Sequence, residues 1–131
     1  MDTRRQTVYQ IIGGEEALER LVERFYDIIE TDPDGAIVHA LHLKGFGIGH
    51  VRVAQFQFLS GFFGGPQYYV ERMGHANLRA MHEHIQIGPA EADAWLRCME
   101  KAIDDVGFSA DVKARLMTAF TRSAMALKNK P

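Results

Sequence analysis

Apolar side chains recur at three- and four-residue spacing along most of the chain, the mark of helices with one buried face. Three series are long: Leu18, Leu21, Val22, Phe25, Tyr26 and Ile29; Ala92, Trp95, Leu96, Met99, Ala102, Ile103 and Val106; and Val112, Leu116, Ala119, Phe120, Ala124 and Leu127. A fourth stripe, Val51, Ala54, Phe58, Leu59 and Phe62, has Gln55 in its middle. No segment alternates with period two for long enough to make a strand. The expectation is an all-α chain of four longer helices plus short ones.

Helix breakers set the boundaries. Thr7 to Ile12 reads as a short amphipathic turn stopped by Gly13-Gly14, after which Glu15 and Glu16 suit a helix N-terminus. That helix is expected to end near Thr31, because Pro33 disfavours helical geometry in the residue before it. Between DPDG and KGFGIG, the stretch AIVHALHL has room for one short helix. The helix with the fourth stripe is expected from about His50 to Phe63, ended by Gly64-Gly65-Pro66. A short helix follows over Pro66 to Arg72, with the proline early, where its missing N–H costs least. The next helix starts at Pro89 and runs to Val106, with Gly107 as its C-terminal cap. Ser109 caps the last helix, and Lys128 and Lys130 suit its C-terminus.

A chain of 131 residues makes one domain with one core, residues 1–6 being read as a flexible N-terminal extension. The apolar share of 47% and charged share of 24% are those of an ordinary globular protein. Net charge is −2 and the basic residues are scattered, so nothing invites nucleic acid or anionic lipid. The single cysteine, Cys98, excludes an internal disulfide and a Cys-based zinc site, and is expected as a small buried apolar residue. It fits a reducing compartment. The opening MDTRRQTVYQII lacks an apolar stretch of signal-peptide length, and no run reaches the roughly 20 apolar residues of a membrane span. A cytoplasmic protein is expected.

The chemistry concentrates in residues 61–88, GFFGGPQYYVERMGHANLRAMHEHIQIG, which hold three of the six histidines. Glycines, a proline and clustered imidazoles can bend a chain around something and present a ligand to it. QIIGGEEALERLVERFYD, FLSGFFGGPQYYVERMGHANLR, LRAMHEHIQI and ADAWLRCM, taken in order and spacing, resemble the truncated haemoglobins, and specifically their group II. The resemblance covers nearly the whole chain.

It implies a shortened globin fold, a two-over-two helical sandwich around a haem (haem b, iron protoporphyrin IX). His82, in LRAMH, takes the place of the family's iron-binding histidine; haem iron needs a neutral imidazole whose other nitrogen is oriented by an acceptor. His75 becomes a structural hydrogen bonder, and His84 the rival ligand. Tyr26 and Trp95 become donors to a bound O2, which carries partial negative charge; by periodicity alone both are core aromatics. Gln55 faces the distal side and can donate to the ligand or pair with Tyr26, unless its amide reaches water. His42 matches a position beside the ligand, with His39 as the competing match; an imidazole there makes ligand binding pH-sensitive, its ordinary pKa being near 6.5. Phe58 and Leu59 become apolar pocket walls while also serving as core with Phe62 and Phe63. Tyr69 braces the turn after the Gly-Gly-Pro break, and Leu78, Arg79, Met81 and Ile85 are counted with it among the haem-binding residues.

The chain departs from the family where Met81 replaces an arginine that pairs with a haem propionate, where Ala54 replaces a basic residue, and where Ala76 and Ile85 replace proline and phenylalanine. Arg79 or Arg52 is then expected to anchor the propionates. The implied function is binding of O2, NO or other diatomic ligands, with NO-dioxygenase or peroxidase-type redox activity and a reductase partner; the oligomeric state is open, monomer or homodimer. Two alternatives stand beside it: a non-catalytic haem-based carrier or sensor, and an all-α interaction module without cofactor.

Overall fold

The computed structural model describes residues 6–43, 48–74 and 87–127, with side chains over 6–40, 52–74 and 87–127. Among these residues there are seven α-helices and no strand. They are α1 (Val8–Ile12), α2 (Gly14–Thr31), α3 (Ala36–Leu43), α4 (Ile48–Phe62), α5 (Tyr68–Met73), α6 (Pro89–Val106) and α7 (Ala110–Leu127), with a 3-10 turn at Pro33–Gly35.

Local chemistry accounts for the boundaries. Thr7 opens α1 with a reciprocal cap: the Gln10 N–H donates to its Oγ1 at 3.1 Å, and its own N–H donates to Gln10 Oε1 at 3.1 Å. Asp32 ends α2 in extended backbone, as expected before Pro33, and its Oδ1 accepts the Asp34 N–H at 2.9 Å. Pro89 stands in the first turn of α6 and Gly107 caps its end, while Ser109 Oγ accepts the Val112 N–H at the start of α7.

The central helix is α2. It packs on α6 and on α4, and α7 packs on α6, so two helix pairs are laid one over the other. The core is their shared surface: Leu18, Leu21, Val22, Phe25 and Ile29 from α2, Leu59 from α4 and Phe63 just beyond it, Cys98, Met99, Ala102 and Ile103 from α6, Leu116 and Phe120 from α7. Each such large side chain, once buried, stabilises the fold by about 1.5–3 kcal/mol. Polar ties hold the outside. Lys101 Nζ on α6 meets Asp32 at 3.1 Å and Asp34 at 2.8 Å, fixing the end of α2.

Four details differ from the sequence reading. Helix α4 starts at Ile48, two residues before His50, and ends at Phe62. Phe62 itself is 41% exposed while Phe63 is 4% exposed, because the helix ends there and the chain turns inward. Pro66 stands outside α5, which runs from Tyr68 to Met73; its carbonyl instead accepts the Ser60 hydroxyl at 2.8 Å, closing the Gly-Gly-Pro turn. Helix α1 is fastened to that turn: the Tyr9 N–H donates to the Phe63 carbonyl at 2.9 Å, and a Cβ on Gly65 would lie 2.5 Å from the Tyr9 ring. Residues 1–5, Lys128 and Lys130 lie outside the described residues.

Candidate functional site

Phe25 and Tyr26 are neighbours on the inner face of α2, and both are buried. Their rings meet edge to face at 4.8 Å. Tyr26 is 1% exposed, and its hydroxyl donates to Gln55 Oε1 on α4 at 3.4 Å. Burial pushes the phenol's pKa well above the ordinary tyrosine value, a charge on Arg52 opposing the shift, so the hydroxyl keeps its proton. With Gln55 Oε1 accepting from Tyr26, the Gln55 amide nitrogen has no acceptor among the described residues.

Trp95 enters from α6. Its ring is half-buried against Phe25 at 5.0 Å and against Phe120 at 5.3 Å. No described residue accepts a hydrogen bond from its indole N–H. Phe25 thus touches both Tyr26 and Trp95, a link the periodicity of α2 does not reveal, since it marks Phe25 only as core. Leu59 belongs to the same buried cluster as Tyr26, and Phe58 and Trp95 pack against that cluster from its edge. Phe58 also stacks on Phe62 at 5.7 Å and meets the Tyr69 ring edge-on at 5.8 Å. Tyr69 is buried, with the Arg72 guanidinium 5.6 Å from its ring centre.

Of the residues singled out in the sequence, Tyr26 meets Gln55 directly and Trp95 through Phe25, Leu59 shares their core cluster, and Phe58, packed on that cluster, meets Tyr69. His82, Leu78, Arg79, Met81 and Ile85 lie outside the described residues, as do His75 and His84. His42 is on α3, but its side chain too lies outside them; His39, on the same helix, is half-buried.

Arg52 does not fit the anchoring role expected of it. Its Nη1 donates to Glu23 Oε2 at 2.8 Å and to the Glu23 carbonyl at 3.2 Å, and its Nη2 to Asp27 Oδ1 at 3.1 Å, with Glu30 Oε2 at 3.3 Å. Its cationic carbon is 5.8 Å from the Tyr26 ring centre. The guanidinium is thus engaged by α2 rather than left for a propionate. Ser60, 0% exposed, also escaped the sequence reading. The available signal was a hydroxyl in an apolar helix shortly before a Gly-Gly-Pro break.

Comparison with known proteins is consistent throughout. Residues 7–129 match the family of bacterial-like globins. A curated relative, the group 2 truncated hemoglobin YjbI of Bacillus subtilis (strain 168), is 35% identical over 121 residues, 92% of this chain and 87% of that protein. Among solved structures, the group II 2-on-2 hemoglobin of Agrobacterium tumefaciens superposes with a TM-score of 0.90 at 33% identity, covering 100% of both chains. The cold-adapted truncated hemoglobin of Pseudoalteromonas haloplanktis TAC125 superposes with a TM-score of 0.89 at 32% identity, over 96% of this chain and 100% of its own. With its two stacked helix pairs and the Tyr26–Gln55 bond between α2 and α4, the chain belongs to the bacterial-like globins and, within them, to the group II truncated haemoglobins.

Proposed function

We propose that this chain is a haem b protein that retains O2 and uses it to oxidise NO, with His82 as the iron ligand. Family membership makes it a haem protein for diatomic gases. The described residues fit such a group. A planar macrocycle needs an apolar wall, which Phe58 and Leu59 provide, and a polar gas needs donors in that wall, which Tyr26, Gln55 and Trp95 provide. The observation that carries the reading is the Tyr26 hydroxyl: fully buried, kept protonated by its surroundings, and set beside an amide in an apolar environment.

When bound, the haem supplies the coordination position for the gas and the electron exchanged with it. The protein's part is electrostatic. Gln55 Nε2–H, Trp95 Nε1–H and the Tyr26 O–H, once turned from its long 3.4 Å bond to Gln55 Oε1, are donors for the partial negative charge that develops on the ligand. In a dry pocket, donors of this kind act without having to reorganise. They also slow escape of the ligand, which suits a catalyst that must hold O2 until NO arrives better than a carrier that must release it. A reductase partner then returns the electron after each turnover. Leu78, Met81 and Ile85 form the proximal wall in this reading, Arg79 pairs with a propionate, and His42 lines the pocket beside the ligand. The protein works in the cytoplasm.

Two measurements test the proposal. Absorption spectra of the ferric, ferrous and oxygenated protein should show a Soret band in each form, and His82→Ala should abolish stable haem binding. Loss of the band in His84→Ala instead would move the ligand to His84, and a colourless folded wild type would remove the haem altogether. Rapid mixing of the oxygenated protein with NO separates the enzyme from a carrier or sensor. Fast conversion to the ferric form supports turnover, and survival of the oxygenated form refutes it.

A further inference from the structure

Helix α4 is tied to α2 by two polar connections one turn apart. On the inside, Gln55 receives the Tyr26 hydroxyl at 3.4 Å. On the outside, Arg52 donates to Glu23 and Asp27 and pairs with Glu30, which are spaced along α2 at intervals of four and three residues and so share one face. Arg52 and Gln55 are three apart, so both connections emerge from one side of α4. The Arg52 guanidinium also lies 5.8 Å from the Tyr26 ring centre, so the same side chain touches α2's carboxylates and the residue that faces the ligand.

An ordinary surface ion pair contributes little, because both partners are wet and mobile. Arg52 differs in being only 18% exposed and in engaging three carboxylates through two nitrogens of a rigid planar fork. Arg24–Asp105 makes a useful contrast. It too joins two helices at short distance, 2.7 Å, but its side chains are 48% and 45% exposed.

We propose that Arg52 is a positioning residue of the distal pocket: it clamps α4 onto α2 and steadies the Tyr26 ring, so that the phenol and the Gln55 amide stay aimed at the ligand. The inference rests on the reading that Tyr26 faces a haem-bound gas. A lysine replaces the fork only in part, because a compact ammonium on a flexible stem lacks the planar two-nitrogen geometry that engages Glu23, Asp27 and Glu30 together. Releasing the clamp lets the two donors drift apart, and the ligand leaves faster.

The test uses the haem-loaded protein and two readouts: the C–O stretching frequency of its carbon monoxide adduct, which senses donors around the ligand, and the O2 dissociation rate. Arg52→Gln is expected to shift the stretch and to speed dissociation about fivefold, the scale of a partly exposed ion-pair cluster. Arg52→Lys should restore only part of both, and Arg24→Gln neither. In a Tyr26→Phe background, Arg52→Gln should have a smaller effect than in the wild type, because only the part that runs through Gln55 is left. If Arg52→Gln fails to fold, Asp27→Asn loosens the same clamp from its half-exposed side and should move both readouts in the same direction. An unshifted stretch and rate in the folded Arg52 variant, or in Asp27→Asn if that replaces it, overturns the proposal. So does an equal effect in the Tyr26→Phe background. If Tyr26→Phe alone changes neither readout, the distal reading of Tyr26 fails instead.

Discussion

Replacing Tyr26 by phenylalanine separates two roles the residue plays at once. The ring is core: it is 1% exposed and meets Phe25 at 4.8 Å, and phenylalanine keeps that contact. The hydroxyl is the functional part. Its bond to Gln55 is long at 3.4 Å, at the weak end of useful geometry, so losing it removes about 0.5–1 kcal/mol from the folded state. For a chain of this size that lowers Tm by roughly 2–6 °C. A hydrogen bond to a ligand carrying partial charge is worth more, about 1.5–3 kcal/mol. The expected outcome is therefore asymmetric: a small loss of stability, and O2 dissociation faster by about tenfold to a hundredfold. Thermal melting followed by circular dichroism gives the first quantity, and stopped-flow displacement of O2 by carbon monoxide gives the second. If the variant melts far below wild type while O2 leaves at an unchanged rate, Tyr26 is a structural aromatic and the donor assignment is wrong.

Trp95→Phe keeps a ring between Phe25 and Phe120 but removes the indole N–H, so ligand dissociation should rise by a few-fold to tenfold with Tm nearly unchanged; an unchanged rate in stopped flow removes Trp95 from the donor set. Cys98 is buried, and burial first, then Asp32 and Asp34, push its thiol from 9.0 up to about 11. A raised folded-state pKa means the stabilisation is intact below the unfolded value near 9 and is lost as pH rises through about 11, so Cys98→Ala should flatten the alkaline loss of stability in that window. By the same token iodoacetamide at pH 8 should label the thiol only after unfolding, as read by mass spectrometry. Gly35→Ala would place a Cβ 2.5 Å from the Ile29 Cα and carbonyl oxygen, backbone atoms that cannot step aside. It should cost about 1–3 kcal/mol in thermal or urea unfolding, and a neutral result would mean the turn after α2 is looser than its contacts imply.

What could be read from the sequence follows the range of the forces involved. Helix α6 was legible to the residue, because Pro89 and Gly107 punctuate it and its apolar positions keep one period. The end of α4 was not: a stripe counted forward from Val51 places Phe62 inside, whereas Phe63 takes the core position once the helix stops. Gln55 stands out by spacing, as an amide inside an apolar stripe, whereas Tyr26 and Trp95 become candidate site residues only through family resemblance, since spacing alone leaves both aromatics in the core. The role of Arg52 was illegible for a different reason. Its partners lie 22 to 29 residues earlier in the chain, and only the packing of α4 on α2 decides which carboxylates it meets.

The fastening of α1 to the Gly64-Gly65 turn has a consequence for where the chain can be cut. Tyr9 covers the face of Gly65 and its N–H caps the Phe63 carbonyl, so five residues of helix replace the further turn that α4 does not make. A chain starting after Tyr9 would uncover that carbonyl and loosen the turn leading into α5. Residues 7–12 are therefore a support for the turn between α4 and α5. A deletion that reaches Tyr9 should lower Tm although it removes none of the large side chains of the central core.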